Sequence, residues 1–204
     1  MDCDQLLEQA RKRTGLADLG DEWPLENCRE FVRILQADQR VNAMGLASAK
    51  AMIEQAFDNR LRHIDLLKRH PEVGEEKVEV SAVIASLPRT GSTLLQRMLA
   101  ATPELTAPTW FETQNYAPFP GEERGDSAER RQWAKTFLEQ ILAAMPELLS
   151  IHPLEVDAAD EEIPVMGLLF SSLQIEGTFF VPEFAEWLNR KSRKRVYPEV
   201  RTVL

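Results

Sequence analysis

Val78-Glu79-Val80-Ser81-Ala82-Val83-Ile84-Ala85, running on into Ser86-Leu87-Pro88-Arg89-Thr90-Gly91-Ser92-Thr93-Leu94-Leu95, is the stretch on which the reading of this chain turns. Its first part is short, apolar and β-branched, with a charged loop before it and Pro88 after it. That pattern predicts a buried strand. Leu94–Ala101, with Leu94-Leu95, Met98-Leu99 and Ala101, predicts a helix. Strand, tight loop and helix therefore follow one another. The first backbone N–H groups of such a helix have no intrahelical partner, and its dipole places partial positive charge beside them. A loop of small residues lets a phosphate oxygen reach these amides. Gly91 permits a positive φ and leaves room for the ligand. Thr90, Ser92 and Thr93 add hydroxyl donors, and Arg89 adds a charge able to bind two oxygens at once.

The common nucleoside-triphosphate loop reads G-x-x-x-x-G-K-[ST]. With its second Gly on Gly91, its first Gly falls on Ser86 and its Lys on Ser92, and only the hydroxyl at Thr93 fits. The lysine that reaches the outer phosphates of ATP or GTP is missing, which disfavours a nucleoside triphosphatase. A P-loop-like cradle remains, with its cation ahead of the glycine, suited to one phosphate and its attached group.

Outward from this junction, residues 1–75 read as a mainly helical N-terminal region and 76–204 as the first part of a second domain. Leu6, Leu7 and Ala10 share one side of a helix over Asp4–Arg13. Leu25, Cys28, Phe31-Val32 and Leu35 form a second stripe, and Leu46, Ala49, Ile53, Ala56-Phe57, Arg60-Leu61, Ile64 and Leu67 a long third one, closed by Lys68, Arg69 and His70 and stopped by Pro71. After the junction, Leu105–Trp110 reads as a second short strand. Ser127–Met145 reads as a helix with Trp133, Phe137, Ile141 and Leu142 on one face, and His152–Ile163 as a solvated acidic loop. Pro164–Leu173 and Pro182–Leu188 are helical pieces, and Arg190–Arg195 is a basic run on an exposed helix face.

The chain has 204 residues, 24 Lys plus Arg against 33 Asp plus Glu, and a net charge of −9. That balance argues against nucleic acid and anionic membranes as general partners. No run of ~18 apolar residues predicts a membrane span, and the acidic Met1-Asp2-Cys3-Asp4 does not resemble a signal peptide. Cys3 and Cys28 lack metal-type spacing and fit two reduced thiols in a cytoplasmic protein. His63, His70 and His152 are dispersed, so no metal site is expected.

Pro88-Arg89-Thr90-Gly91-Ser92-Thr93-Leu94-Leu95 resembles the 5′-phosphosulfate loop of sulfotransferases that use 3′-phosphoadenylyl sulfate (PAPS), most closely bacterial-type ones with P-R-T-G-[ST]-T-L-L. Thr14-Gly15-Leu16, Asn59-Arg60-Leu61, Pro108-Thr109-Trp110-Phe111-Glu112, His152-Pro153, Phe170-Ser171 and Trp187-Leu188 are similar to that group as well. The resemblance implies an α/β fold, a P-loop-kinase-like parallel sheet, and sulfuryl transfer from PAPS to a hydroxyl or amine of a small-molecule acceptor without a metal. It implies that Arg89, Thr90, Gly91, Ser92 and Thr93 bind the co-substrate, and that Arg89 stabilises charge on the bridging and sulfuryl oxygens. Glu112 is the first candidate general base and His152 the second; the competing roles are a surface carboxylate and a loop-capping imidazole. Trp110, Phe119 and Trp187 are candidates for an apolar acceptor pocket or for core.

Only one clear strand and one weak one are legible, and the family's 3′-phosphate signature has no counterpart after Gly121. The expectation is an incomplete sheet and an N-terminal portion of a longer protein, marginally stable and weak in PAPS binding by itself. Two other functions stay open: a noncatalytic, sulfotransferase-derived interaction protein, and a P-loop small-molecule kinase, which the residue at Ser92 disfavours. The acceptor and the oligomeric state are not legible.

Overall fold

The computed structural model describes residues 1–87 and 89–203. Pro88 of the loop motif and Leu204 lie outside the described residues. In chain order the helices are α1 (Cys3–Thr14), α2 (Trp23–Ala37), α3 (Ala43–Arg69), α4 (Glu72–Glu75), α5 (Ser92–Ala100), α6 (Trp110–Gln114), α7 (Ala128–Ala144), α8 (Leu148–Ile151), α9 (Ile163–Leu168), α10 (Gln174–Phe179), α11 (Pro182–Asn189) and α12 (Val196–Arg201), with a 3-10 turn at Arg193–Arg195. The chain divides into two compact units, Met1–Glu75 with Ile163–Val203, and Glu76–Glu162.

The first unit is built on α3. Its stripe of Ala49, Ile53, Ala56, Phe57 and Leu61 is buried, and α1 and α9 pack against it. Each such fully buried large side chain contributes about 1.5–3 kcal/mol. Asp2 starts α1 by accepting from the amides of Asp4 (2.8 Å) and Gln5 (3.2 Å), and Gly15, at φ 70°, ends it by donating its N–H to Arg11 O. Asn42 caps α3 through the Gly45 amide (2.9 Å), which places Gly45 in the first turn. Phe31 gathers Phe170 (6.3 Å between ring centroids), Phe179 (5.4 Å) and Phe184 (5.5 Å), which ties α2 to the returning segment. Cys3 and Cys28 are buried free thiols with sulfurs 2.8 Å apart, and burial pushes the Cys28 thiol far above its ordinary range.

Polar residues are also packed into this core. Arg60 is 2% exposed. Its Nε donates to Leu19 O (2.9 Å) and its Nη2 to Glu199 Oε1 (3.1 Å). Beside it, Thr202 Oγ1 donates to Glu199 O (2.7 Å), which leaves that hydroxyl to accept from His63 Nε2–H at 2.9 Å. Burial and the neighbouring Arg60 charge keep His63 neutral, with its pKa lowered to about 4.

The second unit has its core where α6 meets α7. Trp110, Phe111, Ala134 and Leu138 are buried, with Trp133, Phe137, Ile141, Leu142, Leu154 and Val156 around them. The expected face of α7 is the one that packs. Arg131 and Arg130 lie over the Phe111 ring, at 4.3 and 5.5 Å from its centroid, and Arg130 Nε reaches Glu122 Oε1 at 2.8 Å.

The expected parallel sheet is not found: among the described residues no strand forms, and the single β-bridge is antiparallel, Thr109 to Ala159. A strand exists only through its ladder, and among the described residues Val78–Ala85 pairs with no other segment. Its side chains stay outside the core, with Val80 67% and Val83 81% exposed. The expected second strand, Leu105–Trp110, reduces to that one bridge, because Trp110 already begins α6.

Two outcomes are expected. Arg60→Met strands the Glu199 carboxylate in a largely buried site and costs about 3 kcal/mol; adding Glu199→Leu restores most of that loss, and urea titration of both variants reads the difference. His63 makes the folded state lose stability as pH falls. Its folded pKa lies below the unfolded value, so the unfolded chain binds the extra proton. The His63 contribution is intact above pH about 6.5 and is lost toward pH about 4, a difference of about 3 kcal/mol. Urea midpoints measured across this window should fall less steeply in His63→Gln.

Candidate active site

Helix α5 sets the geometry of the loop. Gly91, at φ 90°, is its N-cap and accepts the first intrahelical bond from Leu95 N (3.0 Å). An added Cβ at Gly91 would meet nothing within 4 Å, but φ in this region strains any side-chain-bearing residue. Among the described residues no acceptor meets the amides of Ser92, Thr93 or Leu94, and no side chain caps the helix. Arg89 is exposed at φ 67°, and no described carboxylate pairs with it. Thr90 Oγ1 donates to Leu87 O (2.7 Å), which tightens the turn. A hollow of about 440 Å³ opens beside the turn, lined by Ile84, Ser86, Thr90, Gly91, Ser92 and Leu95 among others. Thr90, Gly91 and Ser92 thus border open space, whereas Arg89 and Thr93 are not among the residues that line it.

Glu112 and His152 stand on other segments, and among the described residues no hydrogen bond or ion pair joins either to the loop or to the other. Glu112 closes a capping box on α6: its Oε2 accepts from Thr109 N (2.8 Å) and Thr109 Oγ1 (2.6 Å). His152 ends α8, its N–H donating to Leu148 O (2.7 Å). Its Nε2 lies 3.5 Å from Asp160 Oδ2. The Asp160 carboxylate raises the imidazole pKa above its ordinary value, against a smaller effect of burial.

Other side chains tie these segments to the loop helix, and sequence reading did not find them. Gln96 Nε2 donates to Asp160 O (2.8 Å), and Arg97 reaches Pro153 O (2.6 Å) and Glu155 Oε1 (2.8 Å). The amides of Trp110 and Phe111 donate to Ala158 O (2.9 Å) and Val156 O (3.1 Å), and Asp160 N to Pro108 O (2.9 Å). The acidic segment is therefore laced to both α5 and α6. Asp157 stays exposed, but Asp160 is only 4% exposed, contrary to a fully solvated loop. A motif scan carries no signal for this, since Gln96 and Arg97 look like ordinary helix-surface residues. Of the aromatic candidates, Trp110 is core at 3% exposure, Phe119 is half-buried, and Trp187 stacks on Phe184 at 5.7 Å within the first unit. Arg193–Arg195 forms a 3-10 turn rather than the face of a helix.

Residues 82–197, more than half of the chain, match the sulfotransferase family. The chain belongs to that family. Sulfotransferase STF1 from Mycobacterium tuberculosis superposes with a TM-score of 0.74 at 23% identity, over 100% of this chain and 56% of that one. Sulfotransferase STF9 from Mycobacterium avium superposes with a TM-score of 0.78 at 20% identity, over 98% of this chain and 52% of that one. The fold is thus that of the matched part of these enzymes, and the chain spans about half of their length. No curated protein sequence matches. Among the described residues no helix is long and apolar enough to cross a membrane, and no group of three His, Cys, Asp or Glu is placed to hold a metal ion.

The capping role of Glu112 has a stability signature. Glu112→Ala and Thr109→Ala should each cost about 1 kcal/mol in urea unfolding. An unchanged midpoint in Glu112→Ala would show that its contacts with Thr109 contribute nothing to the fold.

Proposed function

We propose that the protein takes part in sulfuryl transfer from PAPS to a hydroxyl or amine of a small-molecule acceptor. The observation that carries this reading is the start of α5, where amides without described acceptors border an open hollow, with the exposed Arg89 two residues ahead of Gly91, in a chain of the sulfotransferase family. The amides of Gly91, Ser92 and Thr93 suit a phosphate, whose oxygens replace the missing intrahelical acceptors. The room above Gly91 accommodates the close approach this needs.

In the reaction the acceptor oxygen or nitrogen attacks sulfur. The bond from sulfur to the bridging oxygen breaks, and that oxygen leaves with the electron pair on adenosine 3′,5′-bisphosphate. The acceptor's proton passes to a base. Charge builds on the bridging and sulfuryl oxygens, where Arg89 provides a fork of donors. Ser92 and Thr93 supply further hydroxyl donors, while the Thr90 hydroxyl is held by Leu87 O. Glu112 and His152 are the candidate bases. Glu112 already serves Thr109 with one oxygen, whereas His152 carries a ring nitrogen and a buried carboxylate partner.

A noncatalytic binding role is the second reading. It is favoured by the apolar side chains left open around the loop, among them Val83, Leu87, Leu94 and Met98 at 62–81% exposure.

Calorimetric titration separates these readings. Adenosine 3′,5′-bisphosphate should bind in preference to ATP, and Arg89→Ala should weaken it about tenfold or more, the loss of a charge-assisted pair. Preference for ATP would point to a kinase, and binding of neither nucleotide to the noncatalytic role.

A further inference from the structure

The segment His152–Asp160 brings an imidazole up to a buried carboxylate. Asp160 is fixed by three backbone contacts. Its N–H donates to Pro108 O, its carbonyl accepts from Gln96 Nε2, and its Oδ1 accepts from Glu161 N at 2.7 Å. The other carboxylate oxygen, Oδ2, is buried and has no hydrogen-bond partner of normal geometry. A buried carboxylate oxygen left this way is costly, and the group in front of it is His152 Nε2, 3.5 Å away. The imidazole itself is 27% exposed, so its other edge is accessible.

Placement along α5 brings this pair toward the loop. Gln96, which holds Asp160, is four residues beyond Ser92 and therefore on the same helix face, about 6 Å along the axis. Arg97 on the next position holds Pro153 O, directly after His152. The helix that presents the amides at its first turn grips both ends of the His152–Asp160 segment at its second.

We propose that Asp160 is a positioning residue for His152: it holds the imidazole with Nε2–H turned inward and leaves Nδ1 as the nitrogen that takes the acceptor's proton. This rests on the sulfotransferase reading for what the proton acceptor is for, and it selects His152 over Glu112. The logic is that of any base whose tautomer is fixed by a carboxylate behind it. The charged groups facing His152 are Asp160, Glu161 and Arg97, and Arg97 is itself held by Glu155. Asp160 raises the imidazole pKa and Arg97 lowers it, so the base is neutral and competent only above its raised pKa.

The test is nitrogen-15 NMR of the whole 204-residue chain, with His152 assigned by its loss in His152→Gln. In the wild-type protein the neutral imidazole should show the Nε2–H tautomer, with a titration midpoint above the ordinary histidine value. Asp160→Asn should move that midpoint down and mix the tautomers. A wild-type Nδ1–H tautomer overturns the proposal without any variant, and so does a midpoint unmoved in a folded Asp160→Asn. Neither readout involves turnover or PAPS, so a failed nucleotide titration would count against the sulfotransferase reading and leave the pairing to be judged on these spectra.

Discussion

Helix α5 cannot satisfy its own first amides. Every helix shares that debt, and most settle it with a capping side chain, as Asp2 does for α1 and Asn42 for α3. At Gly91 no described side chain does so; Arg89 and Gly91 both take positive φ there, and a hollow opens beside Gly91 and Ser92. The same short helix then uses Gln96 and Arg97 to hold the 153–160 segment. One element thus joins the uncapped helix start to the segment with the titratable pair. Disrupting α5 would undo both.

The loop and the helices were legible because their signals are local. The stripes on α1, α2 and α3 follow a 3.6-residue period and mark most of the buried face of each helix, whereas on α7 the predicted stripe is half-buried and flanks the buried Ala134 and Leu138. The start of α5 stood out in the sequence as a candidate anion cradle because small residues, hydroxyls and a cation crowd ahead of an apolar helix. What failed was the step from extended segment to sheet. Val78–Ala85 has the composition of a buried strand, but pairing is a property of two segments, and composition describes one.

Three further features were hidden for a related reason. Arg60 lies in the midst of an apolar stripe, and its carboxylate is 139 positions away at Glu199. Asp160 sits in a run of acids that looks solvated, and only the hydrogen bonds from Gln96 and to Pro108 bury it. Glu112 has the spacing of a capping box with Thr109, a pattern that is readable in principle but was outweighed by its place in a resembling motif. Long-range partners decide these cases, and a single sequence does not pair them.

The first unit is discontinuous: Glu76–Glu162 intervenes between its helical front and Ile163–Val203. Phe31 and Phe57 meet Phe170, and Arg60 meets Glu199, only across that interval. On a ribosome α1 to α3 emerge well before the residues that complete their core, so they wait with an apolar face and a buried-type guanidinium uncovered. Closing a loop of this length adds little entropy per residue, but it delays the contacts that reward it. The nascent chain is thereby exposed to chaperones and to misassociation until α9–α12 arrive.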